Sequence, residues 1–363
     1  VVCFFVIAPI LVLYSIGDRF DFQKMKITAT GGIYVRTFPA AGQIIIDSKI
    51  SEKPGLFSNS IFVQSLLPNS HTVLVKKNGY YDYFKTILVQ EKEVTKLENI
   101  LLFKQNIQFE TITDLPASPF DKTEKFIIKN NNLYYSNSPD NVDISATQKT
   151  IPILKNLVAF AVVDNNIIWL GSDGFLYQST LTNITAKTPE TPIKIILKPL
   201  KINKNNPYKI IANSQNIFVI NNGDLLSFNN KTNNLDEFYN PIKDAKISSD
   251  GKNIIFYNDN NIYISLLSDP TAKKITLYKS SNKITSGIWL NDSYIIFTDG
   301  DKIIISEIDY RGNINSITLP QIISLSPSKK IEIKNPEIFF NQQDGKLYIL
   351  TNNTLLSSEK ITP

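Results

Sequence analysis

The sequence predicts a chain that is β almost throughout, and three observations predict it. From Thr28 onward, short apolar runs rich in Ile, Val, Tyr and Phe are broken by Asn-Asn, Asp-Gly, Asn-Gly and Pro-containing turns, with no long helical periodicity. Two stretches, "ISSDGKNIIFYNDNNIYIS" (Ile247 to Ser265) and "IWLNDSYIIFTDGDKIIIS" (Ile288 to Ser306), align without gaps at an offset of 41 residues. The chain also opens on an uninterrupted apolar segment, Val1 to Gly17, where a helix is expected.

A length of 363 residues is enough for two or three domains. The composition is 42% hydrophobic and 20% charged with a net charge of +5, and its Lys and Arg are scattered among Asp and Glu. No basic cluster calls for nucleic acid. Cys3 is the only cysteine and lies in the apolar segment, so an intrachain disulfide and a cysteine metal cluster are both excluded.

The segment over residues 1–17 carries no charge and ends at Asp18 and Arg19. Seventeen residues is the short end of what crosses a hydrocarbon core of roughly 30 Å. The chain begins with Val rather than Met, so the segment is expected to continue upstream. It is read as a single transmembrane anchor, with residues 18–28 as a linker. Arg19, Lys24 and Lys26 are diluted by Asp18 and Asp21, so the visible charges set no orientation. A cleaved signal peptide is the rival, because Ser15-Ile16-Gly17 has the small-x-small form of a cleavage site. A buried helix of a globular domain would show a polar stripe, which this segment lacks.

Residues 29–103 read as one small β-sandwich with strands "GIYVRTF", "GQIIID", "FVQSLL", "HTVLVKK", "YFKTILVQ" and "EVTKLENILLF". In "HTVLVKK" the period of two puts His71, Val73 and Val75 on one face and Thr72, Leu74 and Lys76 on the other. Asn78-Gly79 then supplies a turn at low steric cost. This order of segments resembles the PEGA domain, a small β-sandwich module of bacterial and archaeal envelope proteins. Leu67-Pro68, His71, Val73, Val75, Lys77, Gly79-Tyr80 and Leu101 carry the likeness. Pro39-Ala40-Ala41-Gly42 stands where the family has Pro-Glu-Gly-Ala, and Asn69 where it has glycine.

Residues 104–363 carry the repeat. Ile254, Ile255 and Phe256 fall on Ile295, Ile296 and Phe297, and Ile262, Ile264 and Ser265 fall on Ile303, Ile305 and Ser306. Weaker copies surround Asn131, Gly174, Gly223 and Gly345, so turns recur about every 37 to 49 residues, the length of a four-stranded propeller blade. Each repeat lacks a helix and can bury its faces only against similar sheets, and a closed ring gives every blade two neighbours. About 260 residues at about 42 per blade predict a β-propeller of about six blades, or seven if one copy has diverged. "NIQFETI" (Asn106 to Ile112) is placed to pair with the C-terminal "TLLSSEKI" and close the ring. Ser248-Ser249-Asp250-Gly251 before "IIF" resembles the blade turns of TolB-like propellers, without their proline. WD40 repeats fit less well, since neither Trp169 nor Trp289 follows an Asp at a blade end.

Catalytic chemistry finds little footing. His71 is the only histidine, so a multi-histidine zinc site is excluded, and no Gly-x-Ser-x-Gly, Gly-x-Gly-x-x-Gly or Walker-type loop occurs. His71 is read as a hydrogen-bonded strand residue. "TDGDK" (Thr298 to Lys302) and "NDNN" (Asn258 to Asn261) offer oxygen ligands but lack the full calcium-loop spacing, and they are read as hairpin turns. The aromatics Tyr80, Tyr81, Tyr83 and Phe84 after the Gly79 turn are the candidate partner-contact residues, because Tyr offers apolar area with a polar handle.

The order of anchor, PEGA-like sandwich and propeller resembles single-pass bacterial envelope proteins. That resemblance implies extracytoplasmic domains and a non-enzymatic binding or scaffold role without cofactor. The propeller would present loops to a protein or glycan partner, and the sandwich would serve as spacer or cell-envelope contact. The rival is an extracytoplasmic hydrolase or lyase with carboxylates on the propeller axis.

Overall fold

The computed structural model describes residues 2–15, 17–22, 24–55, 58–112, 126–135, 152–181, 191–269, 271, 273–326 and 329–362. Short β-strands dominate them, and the chain divides into two compact units. One unit comprises Val1–Thr113, Ser293–Phe297 and Asp301–Pro363, and the other comprises Asp114–Asp292 and Thr298–Gly300.

The first unit begins with the helix Val2–Ser15, of 14 residues, which is roughly 21 Å long at the α-helical rise. No helix among the described residues is long and apolar enough to cross a membrane. Of the segment expected as an anchor over residues 1–17, the structure describes this 14-residue helix, with Val1 and Ile16 outside the described residues. Residues 18–28, expected as a linker, fold instead as an antiparallel hairpin of Asp18–Asp21 and Lys26–Ala29. Arg19 secures it to the helix end. Its guanidinium donates to the Tyr14 carbonyl at 2.8 Å and to the Ser65 hydroxyl at 2.9 Å, and lies 3.3 Å from the Tyr14 ring centroid.

The sandwich follows, with its six expected strands present and Ile50–Glu52 added to them. One sheet has the order Ser60–Leu66, Gly31–Phe38, Val94–Leu101, and the other Ile50–Glu52, Gln43–Ile46, Ser70–Lys76, Tyr83–Leu88. Alternation puts Ile33, Val35, Ile44, Ile46, Val73 and Val75 into the core at 0% exposure. His71 lies on the same face, as its register predicts, and is likewise buried. Its Nδ1 is 2.6 Å from Asp47 Oδ2 and its Nε2 is 2.7 Å from the Leu67 carbonyl. Each ring nitrogen thus has an oxygen partner within the sandwich. Burial pushes the Asp47 carboxyl up, but hydrogen bonds from His71 and Thr72 outweigh it and hold Asp47 below its ordinary range.

Tyr83–Leu88 is an edge strand, and an open edge invites unwanted pairing. The loop after Lys302–Glu307 covers it with side chains. Asn315 Oδ1 accepts the Phe84 N–H at 3.1 Å, Asn313 Oδ1 accepts the Thr86 N–H at 2.7 Å, and Asn313 Nδ2 donates to the Phe84 carbonyl at 2.7 Å. Gly312, at φ +66°, lets the loop approach the Thr86 carbonyl where any side chain would collide. Beneath this cover Lys85 is fully buried, yet its Nζ donates to Glu307 Oε1 at 2.6 Å, to the Asp309 carbonyl at 2.8 Å and to the Asn313 carbonyl at 3.0 Å. Three acceptors match the three donors of an ammonium. Tyr83 donates its hydroxyl to Glu307 Oε2 at 3.0 Å, and Asn315 gives Oε1 its backbone and side-chain N–H groups at 2.8 and 3.0 Å. Burial pushes Asp309 up, but Arg311 and then Lys85 outweigh it and hold its carboxyl below the usual range.

The rest of this unit is short sheet. Phe109–Thr111 pairs antiparallel with Thr354–Lys360, joining the segment after the sandwich to the C-terminal meander of Glu337–Asn341, Lys346–Thr351 and Thr354–Lys360. This is the pairing expected of "NIQFETI". Lys302–Glu307 pairs with Ser316–Thr318, and Ile322–Ser326 with Lys329–Glu332.

The second unit is a succession of antiparallel meanders. A three-stranded sheet (Phe126–Lys129, Asn132–Tyr135, Leu154–Lys155) is followed by three four-stranded ones. These are Leu157–Val163, Asn166–Gly171, Leu176–Thr180, Ile193–Lys194; then Tyr208–Ala212, Ile217–Asn221, Asp224–Asn229, Asn234–Tyr239; then Asp244–Ile247, Asn253–Tyr257, Asn261–Leu266, Lys274–Lys279. In each sheet the strands pair in chain order, as tight turns require. Asn130-Asn131 (φ 52° and 60°) and Asn222-Gly223 (φ 50° and 93°) make such turns in the left-handed region. The aligned repeats have matching burial: Ile254, Ile255 and Phe256 are at 0–1% exposure and Ile295, Ile296 and Phe297 at 0%. Ser265 and Ser306, also aligned, are at 0% and 2%.

Two outcomes test these contacts. Lys85→Ala leaves Glu307 buried without its cation and should destabilise the protein by about 3–5 kcal/mol in chemical denaturation, while Lys85→Met with Glu307→Gln should recover much of that loss. Asp47 binds its proton more weakly folded than unfolded, so its contribution is present above the ordinary aspartate value of 3.8 and is lost as pH falls through the depressed folded value. Urea midpoints of the wild type and Asp47→Asn should therefore differ most near neutral pH and converge in acid.

Candidate functional site

In the second unit, turns at one end of three successive sheets border an open cavity of about 710 Å³. The turn at Asp164 contributes from the first sheet, the segments 213–216 and 229–230 from the second, and Leu267 and Lys274 from the third. Sequence chemistry shapes these turns. Asn213 Oδ1 accepts the N–H groups of Gln215 and Asn216 at 3.0 and 2.7 Å, and Asn229 Oδ1 accepts that of Lys231 at 2.9 Å. These are Asx turns, the local geometry that Asn favours.

Strand register brings further polar groups to the cavity. Gln178 is paired with Ile168, and Asn166 lies two residues before Ile168, so the three share one face of the first sheet. Ser227 and Asp236 are partners in the second sheet, and Asn229 Nδ2 donates to Asp236 Oδ2 at 2.8 Å. Among the described residues no group of the protein hydrogen-bonds to the side chains of Asn166, Gln178, Gln215 or Asn230. Phe238 supplies an aromatic wall. It is held edge-on against Phe218 and Phe256, at centroid distances of 5.3 and 5.8 Å, and Lys274 Nζ sits 4.6 Å above its ring.

Such a surface is rich in amide donors and acceptors, and Asp164, Asp236, Glu237 and Lys274 are its charged groups. Its carboxylates, Asp164, Asp236 and Glu237, are exposed. Asp236 and Glu237 are also neighbours on one extended strand, so their side chains leave on opposite faces. The site was not legible in the sequence, where "NSQN" (Asn213 to Asn216) and "NNKTNN" (Asn229 to Asn234) are two Asn-rich stretches among many. Its only signal was the density of amides in two turns whose joining needs the fold.

The aromatics expected as a contact edge are distributed differently. Tyr83 is buried and donates to Glu307, so it is withdrawn from any surface. Burial first, then the Glu307 charge, push its hydroxyl far above the usual tyrosine range. Phe84 alone of the four is well exposed, at 45%. Tyr80 is half-buried and lines an apolar pocket of about 220 Å³ with Phe38, Pro39, Phe103 and Ile107, while Tyr81 lines one of about 30 Å³. The four therefore do not form one contact surface. Both nitrogens of His71 are engaged within the sandwich. The acidic turns are engaged within the protein: Asn258 Oδ1 accepts the N–H groups of Asn260 and Asn261 at 3.1 and 2.9 Å, and Asp299 Oδ2 accepts the Tyr278 hydroxyl at 2.9 Å.

No family model and no curated protein matches this sequence. Similar solved structures include U3-55K, with 9% identity and a TM-score of 0.34 over 54% of this chain and 61% of that one. A nidogen/laminin complex matches at 10% identity and a TM-score of 0.32, over 54% and 75% of the two chains. The extracellular domain of a putative one-component system, BT4673 from B. thetaiotaomicron, matches at 11% identity and a TM-score of 0.41, covering 91% of this chain and 40% of that one. The chain spans less than two thirds of the first and third of these structures. At such identities and scores none of the likenesses bears on what this chain does.

Proposed function

We propose that this chain is a non-enzymatic, membrane-tethered, extracytoplasmic binding protein whose amide-lined cavity takes an uncharged, hydroxyl-rich glycan of the cell envelope. In this reading residues 1–17 belong to the tether, residues 29–103 are a PEGA-like module, and residues 104–363 are a propeller of about six blades. Successive four-stranded meanders, the matched burial of the two repeats, and the pairing of Phe109–Thr111 with Thr354–Lys360 support the propeller. The order and spacing of the sandwich strands support the PEGA-like reading.

The observation that carries the function is the cavity of about 710 Å³, with the unpaired amides of Asn166, Gln178, Gln215 and Asn230 around it. An amide both donates and accepts, which suits a hydroxyl, and the half-buried Phe238 offers a flat apolar face to the carbon side of a sugar ring. The volume lies within the roughly 300–1,000 Å³ usual for ligand sites. The hydrolase reading is weaker because Asp164, Asp236 and Glu237 are exposed and unpaired with one another.

Titration calorimetry of the full chain against neutral envelope oligosaccharides should show binding. The Gln178→Ala/Asn230→Ala double variant should lose about tenfold in affinity, the effect of one to two hydrogen bonds. Equal affinity in that variant, or cleavage of the oligosaccharide, would remove this reading. Fractionation tests the tether: the full-length protein should stay in the membrane pellet through an alkaline carbonate wash.

A further inference from the structure

The first 27 residues hold a concentration of exposed apolar surface that the binding site does not use. Of the eighteen large hydrophobic side chains exposed among the described residues, eight fall between Ile7 and Ile27. Ile7, Leu11, Val12 and Tyr14 are on the helix, at 52–62% exposure. The other four belong to the hairpin: Phe20 at 44%, Phe22 at 80%, Met25 at 72% and Ile27 at 52%.

The hairpin has two unlike faces. Phe20 pairs with Ile27, so these two share one face, and Phe22 continues it into the turn, with its ring 5.0 Å from that of Phe20 and edge-on to it. Asp21 and Thr28 lie on the opposite face and are buried against the protein, at 0% and 3% exposure. The ribbon is thus docked by its polar face and presents its apolar one, the reverse of what water selects. Its lysines stand at the turn end of the ribbon, with Lys26 on the polar face opposite Asp21. Lys26 is exposed, and Lys24 is 3.7 Å from Asp21 and 3.4 Å from the Asn69 side-chain oxygen. Arg19 and the bond from Thr30 N–H to the Gly17 carbonyl, at 3.2 Å, fix the ribbon to the end of the apolar helix.

We infer that this hairpin is a lipid-contacting element, with Phe20, Phe22, Met25 and Ile27 inserted at the headgroup boundary of a bilayer and Lys24 and Lys26 at its anionic phosphates. The inference rests on the tether reading above and extends it. Continuity with the exposed apolar helix places the hairpin where a membrane would lie, and aromatic and methionine side chains beside lysines are the composition of an interfacial anchor. Docked in this way, the hairpin holds the sandwich at a fixed height over the membrane rather than on a loose linker.

The test uses the full chain reconstituted with vesicles of phosphatidylcholine and phosphatidylglycerol, with or without bromine on the acyl chains. Emission from Phe22→Trp and Met25→Trp, corrected for the native tryptophans, should fall about twofold or more in the brominated vesicles, as insertion of ~5–10 Å requires. Phe62→Trp, at another exposed position, should be unaffected. Protein that floats with vesicles while the corrected emission of both hairpin variants remains open to aqueous iodide and insensitive to bromine would overturn the hairpin inference and leave the tether standing. Protein that does not float would overturn both.

Discussion

The Lys85–Glu307 pair is the contact on which the first unit depends most. Its partners are 222 residues apart in the chain and meet at 2.6 Å where neither reaches water. Burying either charge alone costs several kcal/mol, so each is tolerable only with the other. That mutual dependence fixes the loop carrying Asp309 to Asn315, and the loop in turn lays two asparagine side chains along the open edge of the sandwich. One buried pair thereby solves an edge-strand problem and makes the sandwich a docked part rather than a free bead.

The same small set of residue types builds the turns and the candidate site. Asn tolerates the left-handed region and caps its own backbone, so it serves hairpins throughout the chain. Where turns from three successive sheets meet, amides left over from capping become a lining for the cavity. Asn213 and Asn229 are spent on turn geometry, whereas Asn166, Gln178, Gln215 and Asn230 are not. The distinction between an amide spent on a turn and one left to line the cavity is then one of hydrogen-bond satisfaction, which composition does not reveal.

Much of the local structure was legible beforehand. The period of two placed His71, Val73 and Val75 on the buried face, the 41-residue offset paired Ile254 to Phe256 with Ile295 to Phe297, and "NIQFETI" pairs with the C-terminal strand. Other elements carried no such signal. Ile50–Glu52 is too short for a pattern, and the hairpin over residues 18–29 has apolar side chains outward, so its alternation looked like a linker. Tyr83 read as a contact residue and Lys85 as an ordinary strand position because nothing near them in sequence shows what lies across from them.

The sequence by itself determined the β-strands, their faces, their turns and the repeat, because side-chain alternation and turn stereochemistry act over a few residues. Only the tertiary structure decided that a strand lysine is buried, that Tyr83 is withdrawn while Phe84 is exposed, and which amides line one cavity. Those outcomes depend on groups brought together from distant parts of the chain, where burial sets the worth of a charge.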